Sequence, residues 1–240
     1  MDKLVKKKFI LLVQCRIGSL RLPAKVLFNF HGKSVFERII EISKKIVSNH
    51  EDIVFLLGEE HQCYFLGKLC KKYGVKFEYC DPGYESNLYA RYKNIVSKLS
   101  TDYKYFIRFT ADNYLVQPKV VKKMIDDFNL NDWDYAYIKP LSHYACELVK
   151  IDTFLNNISY ERDNLEHITP NIRKNFKKFN LKAYPKNFMK LDHSKSISLD
   201  TIDDLLILKK IESKKYCKKL DCIEEINQMK KILKKNKNNI

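Results

Sequence analysis

Residues 9–25 of the 240-residue chain have the sequence F-I-L-L-V-Q-C-R-I-G-S-L-R-L-P-A-K. The run from Phe9 to Val13 is short and fully apolar, which is typical of a strand buried on both faces. The following stretch, Gln14 to Lys25, is polar and contains glycine, serine and proline, which predicts a loop. Ser34 and Glu37 then form a capping box before an amphipathic segment, which predicts a helix. A strand, a loop and a helix in this order predict the first βα unit of a parallel sheet.

The alternation of short β-branched or aromatic runs with longer amphipathic segments continues along the chain, which predicts an α/β fold with a doubly wound, mostly parallel, Rossmann-like sheet. The further predicted strands are 53–57, 75–79, 103–109 and 134–138, and the predicted helices are 34–47, 64–73, 88–99 and 118–128. Later elements are predicted less sharply, namely a weakly regular stretch at 146–149, a helix at about 165–176, strands near Leu181 and Ile197, and a helix at 205–211 opened by Thr201 and Asp204. We expect one domain over residues 1–240, divided into a regular half (1–130), a less regular segment (131–200) and C-terminal helices (201–240).

Composition limits the class of protein. The formal net charge of +16 suggests a nucleic-acid-binding module, but 38 of the 45 basic residues are Lys and only seven are Arg, whereas Arg is expected at bidentate phosphate and guanine contacts. Most of this charge is therefore interpreted as solvated surface. The seven cysteines are odd in number and form no C-x-x-C pair, which predicts reduced thiols and a cytoplasmic protein. The apolar run at the first strand is too short to span a membrane.

The loop from Gln14 to Lys25 has the composition of a phosphate-binding loop. Arg16, Arg21 and Lys25 supply positive charge, and Gly18 permits a tight turn whose backbone amides can bind phosphate oxygens. Its position after the first strand places it at the carboxyl edge of the sheet, where open α/β folds bind ligands. It lacks the spacing of a Walker A motif. The alternative is a basic surface turn without a ligand.

The loop and several later motifs of the chain resemble those of a known family. The pattern Q-x-R-x-G-S-x-R-L-P-x-K is similar to the CTP-binding signature of the CMP-sugar-acid synthetases, above all the spore-coat polysaccharide (SpsF-like) branch, and also the CMP-Kdo and CMP-sialic acid synthetases. Further matches follow in order at Arg91-Tyr92, R-F-T-A-D (108–112), E-H-I-T-P (166–170) and S-L-D-T-I-D-D-L (198–205). The resemblance implies a nucleotidyltransferase fold, a CTP-binding first half, an acceptor-side segment that also forms a dimer contact, and transfer of CMP from CTP to an acidic sugar.

The resemblance also assigns roles to individual residues. The implied nucleotide-binding residues are Gln14, Cys15, Arg16, Gly18, Ser19, Arg21, Lys25, Arg91 and Arg108. Lys25 and Arg16 are implied to stabilise charge at the α-phosphate. The chain departs from the family where Cys15 and Ala24 replace the usual Ala and Gly, and Ala24 disfavours a positive φ there. Further departures are Ser86-Asn87 and Asn113-Tyr114. For Arg91 the alternative is a surface salt bridge, and for Arg108 a packed strand-end side chain.

Two carboxylates are candidate metal ligands. Asp112 follows the fourth predicted strand and Asp200 ends a late one, so both are expected at the edge that carries the loop. The resemblance implies that they hold Mg²⁺, which prefers few protein ligands together with phosphates and waters. The alternative for Asp200 is a cap on the following helix. The other His residues have no zinc-ligand spacing.

The acceptor side is less clearly marked. The resemblance implies that Glu147 and His167 contact the acceptor, and His167 is also a candidate catalytic base because histidine side chains ordinarily titrate near neutral pH. A structural His is the alternative. A homodimer is implied, and the aromatic stretch from Trp133 to Tyr144 is a candidate interface. Two other functions stay open: a nucleotide-sugar glycosyltransferase, for which the chain has only Asp112-Asn113-Tyr114 in place of a D-x-D motif, and a basic nucleic-acid-binding module. We expect no nucleic-acid or membrane partner.

Overall fold

The computed structural model describes residues 8–30, 32–156, 167–175 and 177–213. Its strands are β1 (Phe9–Gln14), β2 (Asn29–Phe30), β3 (Lys33–Ser34), β4 (Ile53–Leu56), β5 (Lys76–Glu78), β6 (Tyr105–Thr110), β7 (Tyr135–Ile138), β8 (Glu147–Lys150) and β9 (Leu181–Tyr184). Its helices are α1 (Val35–Ile46), α2 (Glu60–Lys72), α3 (Leu88–Leu99), α4 (Pro118–Asn129), α5 (Ile151–Asn156), α6 (Pro170–Lys174) and α7 (Ile202–Ser213). Within these ranges, no helix combines the length and apolar character needed to cross a membrane.

Seven strands form one sheet in the order β5-β4-β1-β6-β8-β7-β9. β5, β4, β1 and β6 are parallel, β8 is antiparallel to both of its neighbours, and β7 is parallel to β9. The chain proceeds from β1 outward to β4 and β5, and then crosses back to β6 on the other side of β1. In open α/β sheets such a reversal opens a crevice at the carboxyl ends of the two strands concerned, here β1 and β6.

Apolar side chains cover both faces of the sheet, which explains why β1 lacks polar alternation. On one face Leu11 and Val13 pack with α1, α2, α4 and α7, and on the other Ile10 and Leu12 pack with α3 and α5. These four β1 side chains are at most 1% exposed. Helices on both faces of a mostly parallel sheet confirm the predicted doubly wound α/β fold.

Local signals account for the helix ends. Ser34 Oγ accepts a hydrogen bond from the Glu37 amide at 3.2 Å, and Glu37 Oε2 accepts one from the Ser34 amide at 2.9 Å, so the predicted capping box of α1 is confirmed. α2 is followed by Gly74 with φ +63°, a conformation that glycine adopts without steric cost. α2 begins a turn earlier than predicted.

The segment 131–200 is more regular than predicted. β7 and β9 confirm the strands predicted at 134–138 and near Leu181. β8 is a regular strand where only a weakly regular stretch was predicted, because its four residues are too few for a clear periodic pattern. α5 follows β8 directly and was not predicted. The predicted strand near Ile197 is wrong. Residues 197–199 lie beside the end of β6 but do not pair with it as a strand. Among the described residues, one backbone hydrogen bond joins the two segments there, from the Leu199 amide to the Asp112 carbonyl at 2.8 Å. Both ends of the helix predicted at 165–176 lie outside the described residues. The part of the predicted C-terminal helices beyond residue 213 also lies outside them.

The aromatic stretch predicted as a dimer contact packs in part within the chain. Tyr135 and Tyr144 are at most 1% exposed. Trp133 makes edge-to-face contacts with Phe128 and Tyr184, with ring centroids 5.9 and 6.3 Å away. These rings serve the chain's own core, whereas Leu141 in the same stretch is 47% exposed, so an interface here stays a prediction.

Candidate active site

The loop from Gln14 to Lys25 lies at the crevice between β1 and β6. The amide of Ala24 donates to the carbonyl of Ile17 at 3.1 Å, which closes the loop into a turn. Arg16 and Ser19 line the cleft beside this turn. Arg16 makes no ion pair with any described residue, so its charge is available to an anionic ligand.

The turn requires a left-handed residue at Ala24, which has φ 53° and ψ 25°. Alanine disfavours a positive φ, so this conformation was not expected from the sequence, but Ala24 adopts it. An alanine there costs about 1–2 kcal/mol relative to the right-handed region. Leu22 and Val26, on either side, are 5% and 1% exposed, and their burial offsets that cost.

Replacing Ala24 by glycine should therefore stabilise the protein by about 0.5–1 kcal/mol, because glycine adopts the left-handed region freely but loses more chain entropy on folding. Thermal unfolding should show a rise in Tm of roughly 2 °C. Ala183→Gly, at an exposed position of β9, is the matched control and should lower Tm, since glycine weakens a strand. A Tm of Ala24→Gly at or below that of wild type would contradict this account of the turn.

Asp112 and Asp200 meet beside the loop, on either side of Lys25. The Lys25 Nζ atom lies 2.9 Å from Asp112 Oδ2 and 2.9 Å from Asp200 Oδ1. The hydrogen bond between the Leu199 amide and the Asp112 carbonyl fixes the backbone that carries Asp200 against the end of β6. The structure thus brings together the two carboxylates that the sequence placed at one edge of the sheet.

Asp200 does not cap α7. The side chain of Asp204 accepts hydrogen bonds from the Thr201 amide at 2.8 Å and from the Thr201 hydroxyl at 2.8 Å. The Asp204 amide in turn donates to Thr201 Oγ1 at 3.3 Å. These contacts form the predicted capping box of α7 and leave the Asp200 carboxylate facing the cleft.

The environment of Asp200 keeps it ionised. Arg21 lies 3.0 Å from its Oδ1 atom, and the Ser198 hydroxyl donates to its Oδ2 atom at 2.6 Å. Partial burial raises the pKa of this carboxyl, but hydrogen bonds from Lys25 and Ser198 and the nearby positive charges outweigh burial, so the pKa lies below its ordinary value.

The charges of the site suit a divalent cation. Lys25 and Arg21 balance Asp112 and Asp200, so only Arg16 adds net positive charge against a triphosphate. In the described part of the chain, no group of three or more His, Cys, Asp or Glu side chains is arranged to hold a metal. Mg²⁺ commonly uses one or two carboxylates and completes its shell with phosphate oxygens and water. The pair of carboxylates fits that requirement.

The loop and the carboxylates border a cleft of about 570 Å³ that opens into a smaller pocket of about 240 Å³. The residues that line both spaces are Gln14, Arg21, Thr110, Asp112, His167 and Asp200. His167 is exposed and lies at the junction of the two.

A buried ion-pair cluster borders the smaller pocket. Glu147 Oε2 accepts a hydrogen bond from Arg108. Glu147 Oε1 accepts from Arg173 at 2.9 Å, from Thr169 at 2.9 Å and from the Tyr135 hydroxyl. Both carboxylate oxygens are thus taken by protein donors. Glu147 lines the pocket and orders its wall; a direct contact between Glu147 and an acceptor stays a prediction.

The electrostatics of this cluster favour an anion. Burial opposes ionisation of Glu147, but Arg108 and Arg173 outweigh it, so the pKa of Glu147 lies below its ordinary value. The three side chains carry one net positive charge. Arg108 also donates to Gln14 Oε1 at 3.2 Å, which links the cluster to the end of β1.

Arg91 lines neither of these two spaces, but it lines a separate cavity at the ends of β4 and β5. Its Nη2 atom donates to the carbonyls of Leu56 and Leu57 at 2.7 and 2.8 Å and approaches the Cys15 carbonyl at 3.5 Å. Arg91 therefore fastens α3 to the ends of β4 and β1, and it forms no surface salt bridge. The Cys15 thiol is buried, and burial raises its pKa well above the ordinary value, so it stays a thiol.

Sequence reasoning missed several polar residues of the smaller pocket. Ser142 Oγ lies 2.7 Å from Nδ1 of the fully buried His193, and Asn113 Oδ1 lies 2.9 Å from His143 Nδ1. Ser142, His143 and Asn113 line the pocket. Each pair joins residues far apart in the chain, so no local spacing could have revealed them.

Comparison with known proteins shows the family of this chain and agrees with its fold. Residues 10–239 match the family model described as Cytidylyltransferase. An uncharacterized protein of Methanocaldococcus jannaschii is 28% identical over 204 residues, covering 82% of this chain and 80% of that protein. A cytidylyltransferase structure from Leptospira borgpetersenii serovar Hardjo-bovis has a TM-score of 0.74 at 24% identity, covering 97% of this chain and 96% of that chain. A CMP:2-keto-3-deoxy-manno-octonic acid synthetase complexed with CTP has a TM-score of 0.64 at 12% identity, covering 87% and 100%. Since the family model matches nearly the whole chain, this protein belongs to the cytidylyltransferase family.

Proposed function

We propose that this cytidylyltransferase transfers CMP from CTP to a hydroxyl of an acidic sugar of the 2-keto-3-deoxy acid type, releasing pyrophosphate, in the cytoplasm and in service of surface glycan biosynthesis. The observation that carries the proposal is the junction at His167, where the phosphate cleft opens into a pocket bordered by net positive charge. The fold neighbour that was solved with CTP supports the choice of nucleotide.

The smaller pocket suits one acidic sugar. Its volume of about 240 Å³ lies below the range of drug-sized ligand sites. Ser142 and Ser198 line this pocket, and the oxygen of Ser198, whose proton is donated to Asp200, can accept a hydrogen bond from the sugar. The excess positive charge of the Arg108, Glu147 and Arg173 cluster would attract a carboxylate, since a guanidinium is matched in shape and charge to that group.

The chain's own side chains suffice to align the reaction. The acceptor oxygen would form a bond to the α-phosphorus while the bond from that phosphorus to the bridging oxygen breaks, and pyrophosphate leaves with the bond electrons. Lys25 and Arg16 would stabilise the charge that develops on the phosphate oxygens. His167, at the junction, is placed to accept the proton of the acceptor hydroxyl. No covalent enzyme intermediate is required.

Asp112 and Asp200 are the residues that would hold Mg²⁺. When bound, the ion would supply the positive charge that the site lacks against a triphosphate. Lys25 holds the two carboxylates together in the protein, and Arg21 and Ser198 fix the orientation of Asp200. These contacts preorganise the carboxylates.

The proposal is tested by measuring pyrophosphate release with CTP, Mg²⁺ and a panel of Kdo, sialic, legionaminic and pseudaminic acids. We expect release with at least one acid, and none when a neutral hexose replaces the acids or UTP replaces CTP. CTP turnover absent with every acid would contradict the acidic-sugar assignment. Selective binding of intact UDP- or GDP-sugars would support a glycosyltransferase, and salt-dependent binding of DNA or RNA without a CTP-induced thermal shift would support a nucleic-acid-binding module.

A further inference from the structure

The strand order divides the carboxyl edge of the sheet into three regions. The acceptor-side pocket lies at β6 and β8, and the phosphate loop follows β1. The ends of β4 and β5 lie on the other side of the loop. A nucleotide with its phosphates on the loop and its α-phosphate toward the acceptor has room for its nucleoside on that side. A cavity of about 280 Å³ lies at these strand ends and along α3, lined in part by Tyr79, Tyr84 and Arg91; none of its lining residues belongs to the loop.

Glu85, between β5 and α3, has an unusual environment on that side. Its Oε1 atom is buried and accepts no hydrogen bond from any described residue. A Cβ atom at Gly18 would lie 2.9 Å from this oxygen, and one at Gly58 would lie 3.0 Å from it. Gly18 belongs to the phosphate loop, and Gly58 follows β4. The two glycines therefore make room for a carboxylate at the edge of the loop.

The segment around Glu85 is held in place by the rest of the fold. The amide of Gly83 donates to Glu59 Oε1 at 2.8 Å, and Asn87 Oδ1 accepts from the Ala90 amide at 3.0 Å at the start of α3. Arg91 approaches the Glu85 carbonyl at 3.5 Å. The backbone that carries Glu85 is thus held in place before any ligand arrives, which lowers the entropy cost of using its side chain.

A buried carboxylate oxygen without a donor is costly, and such groups in native proteins call for a partner. A phosphate is not that partner, since it carries the same charge. The nucleoside offers neutral donors, namely the amine of the base and the ribose hydroxyls. Resting on the proposed function, we propose that Glu85 accepts a hydrogen bond from the nucleoside of the bound nucleotide and so determines part of the nucleotide specificity.

The test compares the affinities for CTP, UTP and dCTP, measured by calorimetry, in wild type, Glu85→Gln and the matched control Glu60→Gln at an exposed position of α2. UTP lacks the base amine, and dCTP lacks the 2′-hydroxyl. We expect wild type to prefer CTP over at least one of them, and Glu85→Gln to reduce that preference about tenfold, because a charge-assisted hydrogen bond becomes a neutral one. Loss of the CTP/UTP difference identifies the amine as donor, and loss of the CTP/dCTP difference identifies the ribose.

Glu85→Asp keeps the negative charge but shortens the side chain by one methylene group. This variant should also lose the preference for CTP over the other nucleotide. The Tm of each variant without nucleotide shows that it is folded. Equal preferences in Glu85→Gln and Glu60→Gln, or no preference in wild type, would overturn the inference while leaving CTP binding intact. Failure of wild type to bind CTP would instead overturn the proposed function, and this inference with it.

Discussion

Replacing Lys25 by methionine is expected to lower kcat/KM for pyrophosphate release from CTP about a thousandfold, the upper end of what removal of one preorganised charge-stabilising group costs. The upper end is expected because two effects combine. The proposed α-phosphate site loses a buried cation, and Asp112 and Asp200 lose the ammonium that lies 2.9 Å from each of them. The two carboxylates then repel each other and the incoming phosphates.

Methionine retains an unbranched chain, so the buried stem of Lys25 keeps its packing. Lys122→Met, at an exposed position of α4, is the matched control and should leave the rate unchanged. Initial rates are measured together with the Tm of each variant, which separates lost chemistry from lost folding. A folded Lys25→Met variant within tenfold of the wild-type rate would contradict the role given to Lys25.

The largest effect on stability is expected from Glu147→Gln. The glutamine is nearly the same size, but it leaves Arg108 and Arg173 without their counter-charge and can place an amide donor against guanidinium donors. Breaking a buried ion pair by removing one partner costs about 3–5 kcal/mol, which for a chain of this size lowers Tm by roughly 10 °C. Thermal and denaturant unfolding measure the change.

Glu41→Gln is the control for this prediction. Glu41 pairs with Lys33 and Arg38 at the surface, with its side chain 32% exposed. Exposed pairs contribute about 0–1 kcal/mol, so its Tm should stay close to that of wild type. A Glu147→Gln variant that melts within about 2 °C of wild type, a shift worth no more than about 1 kcal/mol, would show that the cluster is not the structural support described here.

The same substitution predicts a pH dependence. Because the folded-state pKa of Glu147 is below its ordinary value, its stabilising contribution is complete above the unfolded pKa of about 4.3 and is lost as the pH falls through the lower folded value. The difference in unfolding free energy between wild type and Glu147→Gln should therefore be constant near neutral pH and shrink in acid. A difference that grows as the pH falls would contradict the assignment.

The central part of the fold and of the site was predictable because its signals are local. The apolar run of β1, the glycine and proline of the loop and the capping box of α1 each lie within a few residues. Asp112 could be placed as well, since parallel strands end at the same edge of a sheet.

Other features of the fold and the site depend on contacts between residues distant in the chain, which no local sequence pattern indicates. Arg91 binds backbone carbonyls, which every residue carries. The ion-pair cluster around Glu147 was not predicted, because its partners, Arg108 and Arg173, are distant in the chain. The four-residue strand β8 is too short for its alternation to be seen, and residues 197–199 imitate a strand without forming a ladder.

The left-handed conformation of Ala24 also could not be predicted from the sequence. Alanine disfavours the positive φ of this turn. The burial of Leu22 and Val26 on either side stabilises the loop by more than the conformation of Ala24 destabilises it. Tertiary packing decided the local conformation, which propensity alone could not predict.

The most direct test of the account is a structure of the protein with CTP and Mg²⁺. We predict that the triphosphate lies on the loop from Gln14 to Lys25, that the ion is held by Asp112 and Asp200, and that the pocket beyond His167 stays open for the acceptor. Phosphates bound away from this loop, or an ion that contacts neither aspartate, would contradict the assignment of the site.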